Sequence, residues 1–422
     1  MTPVEAALAG AHRREWARVL AATVRVARDL DLAEECVQDA YASAMTAWGT
    51  SGVPDNPAAW LTTAAKRRAI DAIRRDAALR SRLPLLVVEQ EEDEAREDPE
   101  DHGMGQLSQA VPDERLRLIF LCCHPALGQD AQVALTLRLV CGLPVPDIAR
   151  AFLVTEPTMA ARITRAKKKI ATTRIPYRIP YRIPSPGELP ERLRGVLAVI
   201  HLLFTTGHTA PSGGSLVRTD LVERSMHLAR MLCELMPDDT EARGLLALLI
   251  VTDARRATRA GADGRLLRLK DQDRSRWDRS ALAGAEAMIV GCLRAEPPGR
   301  YVLQAAIASL YADAPAYEET DWPQIVALYD KLLEVWPSPV VALNRAVPLA
   351  MVAGPETALA EVERLEGDPR LSGYQYLPAI KADLLSRLGR TSAAAEAYRR
   401  AFALAANEAE RAFLAEQLAI AE

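Results

Sequence analysis

The stretch GLPVPDIARAFLVTEPTMAARITRAKKKI, residues 142–170, decides the fold of the central part of this chain. Its first half has apolar residues at positions i, i+3, i+4 and i+7, the spacing of one face of a short helix. These residues are Val145, Ile148, Ala149 and Phe152. A brief connection at Leu153 and Val154 follows. Thr155 then stands where an N-cap residue is needed, so the pattern predicts a second helix that begins directly after it.

The second helix separates an apolar face from a basic stripe. Its apolar residues are four, three and four positions apart: Met159, Ile163, Ala166 and Ile170. At about 100° per residue, a separate stripe carries Thr158, Arg162, Arg165 and Lys169. A short helix, a tight turn and a second helix with a basic stripe form a helix-turn-helix. Because guanidinium groups read guanine edges and lysines neutralise phosphates, we predict that the stripe reads DNA; the alternative is a solvated cationic face.

Charge is distributed unevenly along the 422 residues, although the formal net charge is only −4. The tract Glu89–Asp101 carries nine acids against the single Arg96, whereas Thr155–Arg182 is strongly basic. Such asymmetry is typical of proteins with nucleic-acid partners. The six cysteines have no framework spacing, the N-terminus has no signal-peptide core, and no apolar run is long enough to cross a membrane. We therefore expect a cytoplasmic protein without a membrane contact.

Composition and breaks along the chain predict an all-α protein in several parts. We place a helical unit at 1–82, an acidic linker at 83–112, the helix-turn-helix unit at 113–172, a proline-rich linker at 173–190 and a helical domain at 191–422. The segment GRTSAAAEAYRRAFALAAN, from Gly389, has the spacing of a tetratricopeptide (TPR) helical hairpin. The C-terminal domain is thus predicted to be TPR-like, with an irregular helical bundle as the alternative.

Three segments together resemble one protein family. Residues 134–170, ALTLRLVCGLPVPDIARAFLVTEPTMAARITRAKKKI, look like region 4, the promoter −35 reading module of extracytoplasmic-function (ECF) sigma factors. Residues 29–48, DLDLAEECVQDAYASAMTAW, resemble the polymerase-docking helix of region 2 in the same family. Residues 56–75, NPAAWLTTAAKRRAIDAIRR, resemble its −10 helix. The C-terminal part resembles the helical extension of one subgroup.

The resemblance implies a sigma factor that directs promoter-specific transcription initiation. It assigns −35 reading to the basic stripe. It also implies that regions 2 and 4 contact core RNA polymerase, at its β′ clamp helices and β flap. The implied docking residues are Glu35, Gln38 and Asp39. The implied −10 residues are Asn56, Trp60, Lys66, Arg67, Arg68 and Arg74. Basic residues beside an aromatic side chain suit DNA that has been opened, because bases can stack on the ring while cations pair with phosphates. Trp60 could instead be buried in the core. In the docking helix we expect four residues at helical spacing to be buried in the core: Cys36, Ala40, Ala44 and Ala47.

We expect the C-terminal domain to contact the sigma modules within the chain and to regulate them. The acidic linker could imitate nucleic acid or be a solvated spacer. A conventional helix-turn-helix regulator with a helical sensor domain is the alternative function, but it leaves residues 29–75 unexplained. No Walker loop, dinucleotide fingerprint, HExxH or GxSxG sequence occurs, so we expect neither an enzyme nor a cofactor.

One feature could suggest a metal site or a nucleophile, namely Cys122, Cys123 and His124 in RLIFLCCHPAL. Adjacent cysteines on a helix point about 100° apart, and metal ligands are usually separated as C-x₂₋₄-C. Leu116, Ile119, Phe120 and Cys123 also share one apolar face. We therefore predict packing rather than chemistry here, and no metal ligands. For Asp271, Asp273 and Asp278 we predict salt bridging at the foot of a helix rather than a cation loop.

Overall fold

The computed structural model describes residues 2–27, 29–82, 114–172, 189–261 and 264–422. Within these ranges the chain forms eighteen α-helices and no β-strand, which confirms the all-α prediction. The acidic linker and residues 173–188 of the proline-rich linker lie outside the described residues. By its internal contacts the chain divides into two units, residues 1–144 with 160–199 and residues 145–159 with 200–422.

The helices of the N-terminal half are α1 (Pro3–Ala27), α2 (Leu30–Ser51), α3 (Pro57–Arg82), α4 (Glu114–Cys122), α5 (Gln129–Leu139), α6 (Val145–Ala151), α7 (Glu156–Thr172) and α8 (Leu189–His208). In the first unit α1, α2 and α3 pack against one another pairwise. From α2, Cys36, Ala40 and Ala44 are buried as predicted. The expectation for Ala47 was wrong, because it is only partly buried. The larger side chain of Trp48, one position further on, fills the core instead.

Helices α4 and α5 form the second part of the first unit. The whole predicted apolar face of α4 is inaccessible to solvent: Leu116, Ile119, Phe120 and Cys123. The indole Nε1 of Trp16 in α1 donates a hydrogen bond of 2.9 Å to the carbonyl oxygen of Leu139 at the end of α5. This buried bond and the packing of α1 on α4 join the N-terminal helices to the region that precedes the helix-turn-helix.

The first half of α8 lies on α4 and α5. Arg192 is buried and donates from Nη1 to the carbonyl oxygen of Phe120 over 3.1 Å. A Cβ atom on Gly195 would lie 2.7 Å from Oε1 of Gln132 and 3.0 Å from Sγ of Cys123, closer than van der Waals contact allows. Gly195 therefore lets the backbone of α8 approach these two helices closely.

The second unit is a succession of helices in which each packs on the next. They are α9 (Thr219–Leu235), α10 (Thr240–Asp253), α11 (Arg279–Ala295), α12 (Arg300–Asp313), α13 (Trp322–Val335), α14 (Pro339–Val352), α15 (Pro355–Leu365), α16 (Tyr376–Arg387), α17 (Thr391–Leu404) and α18 (Glu408–Ala421). Gly389, with φ of 71°, makes the turn from α16 to α17. Ala394, Tyr398 and Ala401 of α17 are buried, as a helical hairpin requires. The TPR-like assignment itself remains a prediction.

Candidate nucleic-acid interface

The predicted helix-turn-helix elements are formed by α6 and α7. Between them the amide of Leu153 donates to the carbonyl oxygen of Arg150 and that of Val154 to the carbonyl oxygen of Ala149, each over 3.0 Å. Leu153 has φ of 53°, the one positive value among the described non-glycine residues. This conformation is uncommon for a leucine, and it produces the tight reversal between the helices. The side chain of Leu153 packs on the core formed by α14 to α18.

The apolar sides of these helices are those that the periodicity predicts. Met159, Ile163 and Ala166 of α7 are buried, and so are Ile148 and Ala149 of α6, while the side chain of Ile170 lies outside the described residues. The ends of the predicted α6 face, Val145 and Phe152, are only partly buried. Burial of the apolar side holds the basic stripe in a fixed direction on α7.

The four residues of the basic stripe are placed on α7 and make local contacts. The hydroxyl groups of Thr158 and Thr155 are 2.8 Å apart, and Nε of Arg165 donates to the carbonyl oxygen of Ala161 over 3.2 Å. Two of the cations reach the α4–α5 region. Nη1 of Arg162 lies 3.0 Å from Oδ2 of Asp130. Nζ of Lys169 donates to the carbonyl oxygen of Ala126 over 2.7 Å.

Lys167, which lies outside the predicted stripe, makes the shortest ionic contact described for α7. Its Nζ lies 2.6 Å from Oε2 of Glu34 and 3.2 Å from Oδ1 of Asp31, both on α2. Burial lowers the pKa of Lys167, but the hydrogen bond that Lys167 donates to Glu34 and the charges of both carboxylates outweigh it, so the pKa is raised. The recognition helix is thereby tied to the first turns of α2.

The predicted −10 residues lie along α3 and its entry. Oδ1 of Asn56 accepts the amide of Ala59 over 3.0 Å, so its side chain caps the helix. Trp60 is partly buried and stands edge-on to the fully buried Trp48, with ring centres 5.6 Å apart and planes at 72°. It is therefore neither a free stacking platform nor a full core residue. Lys66 is partly buried, while Arg67 and Arg74 are exposed on the same helix.

The predicted docking residues occupy the exposed side of α2. Glu35, Gln38 and Asp39 are all exposed, and Nε2 of Gln38 donates to Oε1 of Glu34 over 3.3 Å. Oδ2 of Asp39 pairs with Nη1 of Arg68 over 3.2 Å, and the other guanidinium nitrogen of Arg68 bonds to Ser43. The structure thus brings one predicted docking residue into contact with one predicted −10 residue.

Known families match three parts of the sequence. Sigma-70 region 2 matches residues 12–78, and sigma-70 region 4 matches residues 117–170. A family of unknown function, DUF6596, matches residues 192–292. The chain is also 42% identical over 402 residues to an uncharacterized protein of Rhizobium meliloti (strain 1021), an alignment that covers 95% of this chain and 92% of the relative.

The chain is an ECF-type sigma factor. It carries the two regions through which sigma factors bind core RNA polymerase and promoter DNA, and it directs promoter-specific transcription initiation. It also has an additional C-terminal helical domain. Sigma factor families are not enzymes. None of the helices in the described ranges is long and apolar enough to cross a membrane.

The cysteine pair of the sigma factor belongs to its core. Burial raises the pKa of the Cys122 thiol to about 12 against a small lowering by the hydrogen bond with Thr136, and burial also raises the pKa of Cys123. Neither thiol is therefore a thiolate near neutral pH. α4 ends at Cys122, and Nδ1 of His124 accepts the amide of Ala126 over 3.1 Å just beyond it. The prediction of packing is confirmed.

The charged segment before α11 is also structural, as predicted, though by capping as much as by pairing. Asp271 pairs with Arg268 over 3.0 Å. Oδ1 of Asp273 accepts the amide of Ser275, and Oδ1 of Asp278 accepts the amide of Ala281, each over 3.0 Å. Among the described residues, no group of three or more histidine, cysteine or acidic side chains could hold a metal ion.

Proposed function

We propose that this sigma factor reads the −35 duplex with the basic stripe of α7, Thr158, Arg162, Arg165 and Lys169. It opens the −10 element with Asn56 and the residues of α3, and it docks on the β′ clamp helices through Glu35, Gln38 and Asp39. Region 4 contacts the β flap. The polymerase performs all the chemistry, and the sigma factor acts in the cytoplasm without a cofactor.

The C-terminal domain, in this proposal, regulates the sigma modules by direct contact. Support comes from Arg192 and Gly195 of α8, which lie against α4 and α5. Further support comes from α6, where Nη1 of Arg150 donates to the carbonyl oxygen of Pro211 over 2.7 Å. Residues beyond 190 thus contact α4 and α5 through α8, and they contact α6 at Pro211.

The observation that carries the proposal is the pairing of Lys167 with Glu34 and Asp31. It joins the DNA-reading helix to the same helix, α2, that bears the predicted docking residues. Arg162 is likewise paired with Asp130. Because these cations must leave carboxylates before they can approach phosphates, the arrangement is a closed one that opens on binding polymerase and promoter.

Promoter binding by variants of the full chain, measured beside reconstituted transcription, tests this proposal. The double substitution D31N/E34Q in the full chain removes the partners of Lys167 without altering α7, so we expect severalfold tighter binding to a promoter duplex. E5Q/E319Q removes two exposed acids outside α2 and serves as a control for the same change in net charge. Unchanged affinity in D31N/E34Q would contradict the closed arrangement.

Truncation after residue 185 tests the regulatory role of the C-terminal domain. Deleting residues 186–422 should change either promoter binding or the amount of specific transcript in the same assay. If both quantities match those of the full chain, the domain does not regulate the sigma modules. Failure of core polymerase to give any promoter-specific transcript with the full chain would contradict the promoter and docking assignments.

A further inference from the structure

A group of arginines in the second unit surrounds one buried indole. Trp277 is only 3% exposed, and its Nε1 donates to the hydroxyl oxygen of Thr258 over 2.8 Å. The guanidinium carbons of Arg274, Arg255 and Arg279 lie 4.7, 5.8 and 5.9 Å from the centre of this ring. Each guanidinium is attracted to the ring, but a neutral ring cannot cancel three positive charges that converge on it.

The acidic residues of the same segment do not neutralise this arginine group. Asp273 and Asp278 cap backbone amides, and Asp271 pairs with Arg268, which is not part of the group. Arg274 and Arg279 instead donate to backbone carbonyl oxygens, among them those of residues 312 and 314. None of the three arginines makes an ion pair among those described, and the charge of Glu318, which raises the pKa of Arg274, is outweighed by burial and by Arg279, so that this pKa is lowered.

Two nitrogens of the arginine group have no hydrogen-bond partner among the described residues. They are Nε of Arg255 and Nη2 of Arg274, both inaccessible at the atom itself. Buried donors are normally paired, and a guanidinium that leaves one unpaired retains capacity for an acceptor. Arg255 and Arg274 as whole residues are partly exposed and Arg279 is exposed, so the group lies at the protein surface, with the two unpaired nitrogens covered.

The pKa values of Arg255 and of the nearby His208 are lowered, first by burial and then by the charges of surrounding arginines. Burial, and then the charges of Arg259 and Arg274, lower the pKa of Arg255 to about 10. Burial lowers the pKa of His208 to about 2, with further lowering by Arg259 and Arg255 and a small opposite effect of the backbone at Thr252. An anion beside these arginines would offset their mutual repulsion.

We propose that this arginine group is a binding site for a small soluble ligand with an oxyanion group, either a phosphate or a carboxylate, held by Arg255 and Arg274. The planar guanidinium fork bonds two oxygens of such a group at once, which an ammonium cannot do. Arg279 closes the exposed edge of the site. The C-terminal domain then binds a ligand of its own, independently of the promoter contacts.

Isothermal titration calorimetry on the full chain tests the site, with inorganic phosphate in one arm and succinate in the other, at matched ionic strength. We expect saturable binding in at least one arm, and the arm that binds identifies the oxyanion. R255Q and R274Q should weaken this binding at least tenfold. R276Q removes an exposed arginine two positions from Arg274 and should leave it unchanged. R255K keeps the positive charge but lacks the planar guanidinium that bonds two oxygens at once, so it should also weaken binding.

Thermal melts of the same variants give a second measurement that does not depend on activity. Without anion, R255Q should melt at or above the wild-type temperature, because it removes a repelled charge. With the binding anion, the wild-type melting temperature should rise while that of R255Q stays constant. Absence of binding by both probes in the millimolar range, or equal losses in R276Q and R255Q, would overturn the proposal.

Discussion

The recognition helix α7 and the arginine group around Trp277 both concentrate positive charge, but they balance it differently. On α7, Lys167 and Arg162 lie 2.6 and 3.0 Å from carboxylate oxygens. Around Trp277, Arg255 and Arg274 lie near the indole ring, Arg274 also donates to carbonyl oxygens, and neither makes an ion pair among those described. Paired cations can be released when DNA phosphates compete for them, whereas unpaired cations are already available to an incoming anion. The two regions therefore suit different ligands.

The largest effect is expected from removing the indole that organises the arginine group. W277A deletes a buried ring and its hydrogen bond to Thr258, and should lower the free energy of unfolding by about 3–5 kcal/mol. K167Q on α7 should cost less, about 1–3 kcal/mol, because it leaves the carboxylate of Glu34, which is only 13% exposed, without its cation. Denaturant unfolding followed by circular dichroism compares the two. Equal losses of unfolding free energy in W277A and K167Q would mean that the buried ring stabilises its region no more than the ion pair stabilises α7.

The next effect concerns −35 discrimination. R162A and R165A should each reduce the preference for the cognate −35 sequence by about 1–3 kcal/mol if each guanidinium bonds a guanine bidentately. Competition binding with cognate and substituted duplexes measures it. R276A, which removes an arginine far along the sequence in the C-terminal domain, is the matched control. An unaltered preference in both variants would exclude the stripe as the reading surface.

Acid should destabilise the second unit through His208. In the unfolded chain this histidine binds a proton near pH 6.5, whereas in the folded chain its pKa is about 2 because of burial and of Arg259 and Arg255. Below pH 6.5 the unfolded state therefore binds more protons, and stability falls by up to about 1.4 kcal/mol per pH unit. H208Q should flatten this dependence in unfolding curves between pH 7 and pH 5. A slope identical to that of wild type would contradict it.

The smallest effect should come from the exposed pair of Asp39 and Arg68. Their side chains are 57% and 40% exposed, so D39N and R68Q should each change the free energy of unfolding by less than about 1 kcal/mol. D39N should nevertheless weaken co-purification with core polymerase if Asp39 is a docking residue. Wild-type retention of polymerase by D39N would remove Asp39 from the docking surface.

Much of the fold and of the candidate site could be predicted because the spacing of apolar, capping and turn residues within short segments determines helix faces and turns. The buried face of α7, the apolar face of α4 and the α16–α17 hairpin at Gly389 each depend on residues within a few turns. The predicted burial of Ala47 was wrong because the packing of the other helices decides which of two neighbouring positions enters the core, and here it is Trp48. The docking and −10 assignments came from the family resemblance and stay predictions.

The sequence by itself determined an all-α sigma factor with a DNA-reading stripe, because apolar spacing, capping residues and charge are local properties. Only the tertiary structure decided which charges meet. Lys167 pairs with Glu34 across 133 positions, and Arg255 and Arg274 converge on the ring of Trp277. Pairings over such sequence distances depend on how the helices pack, and no periodicity within one helix records that.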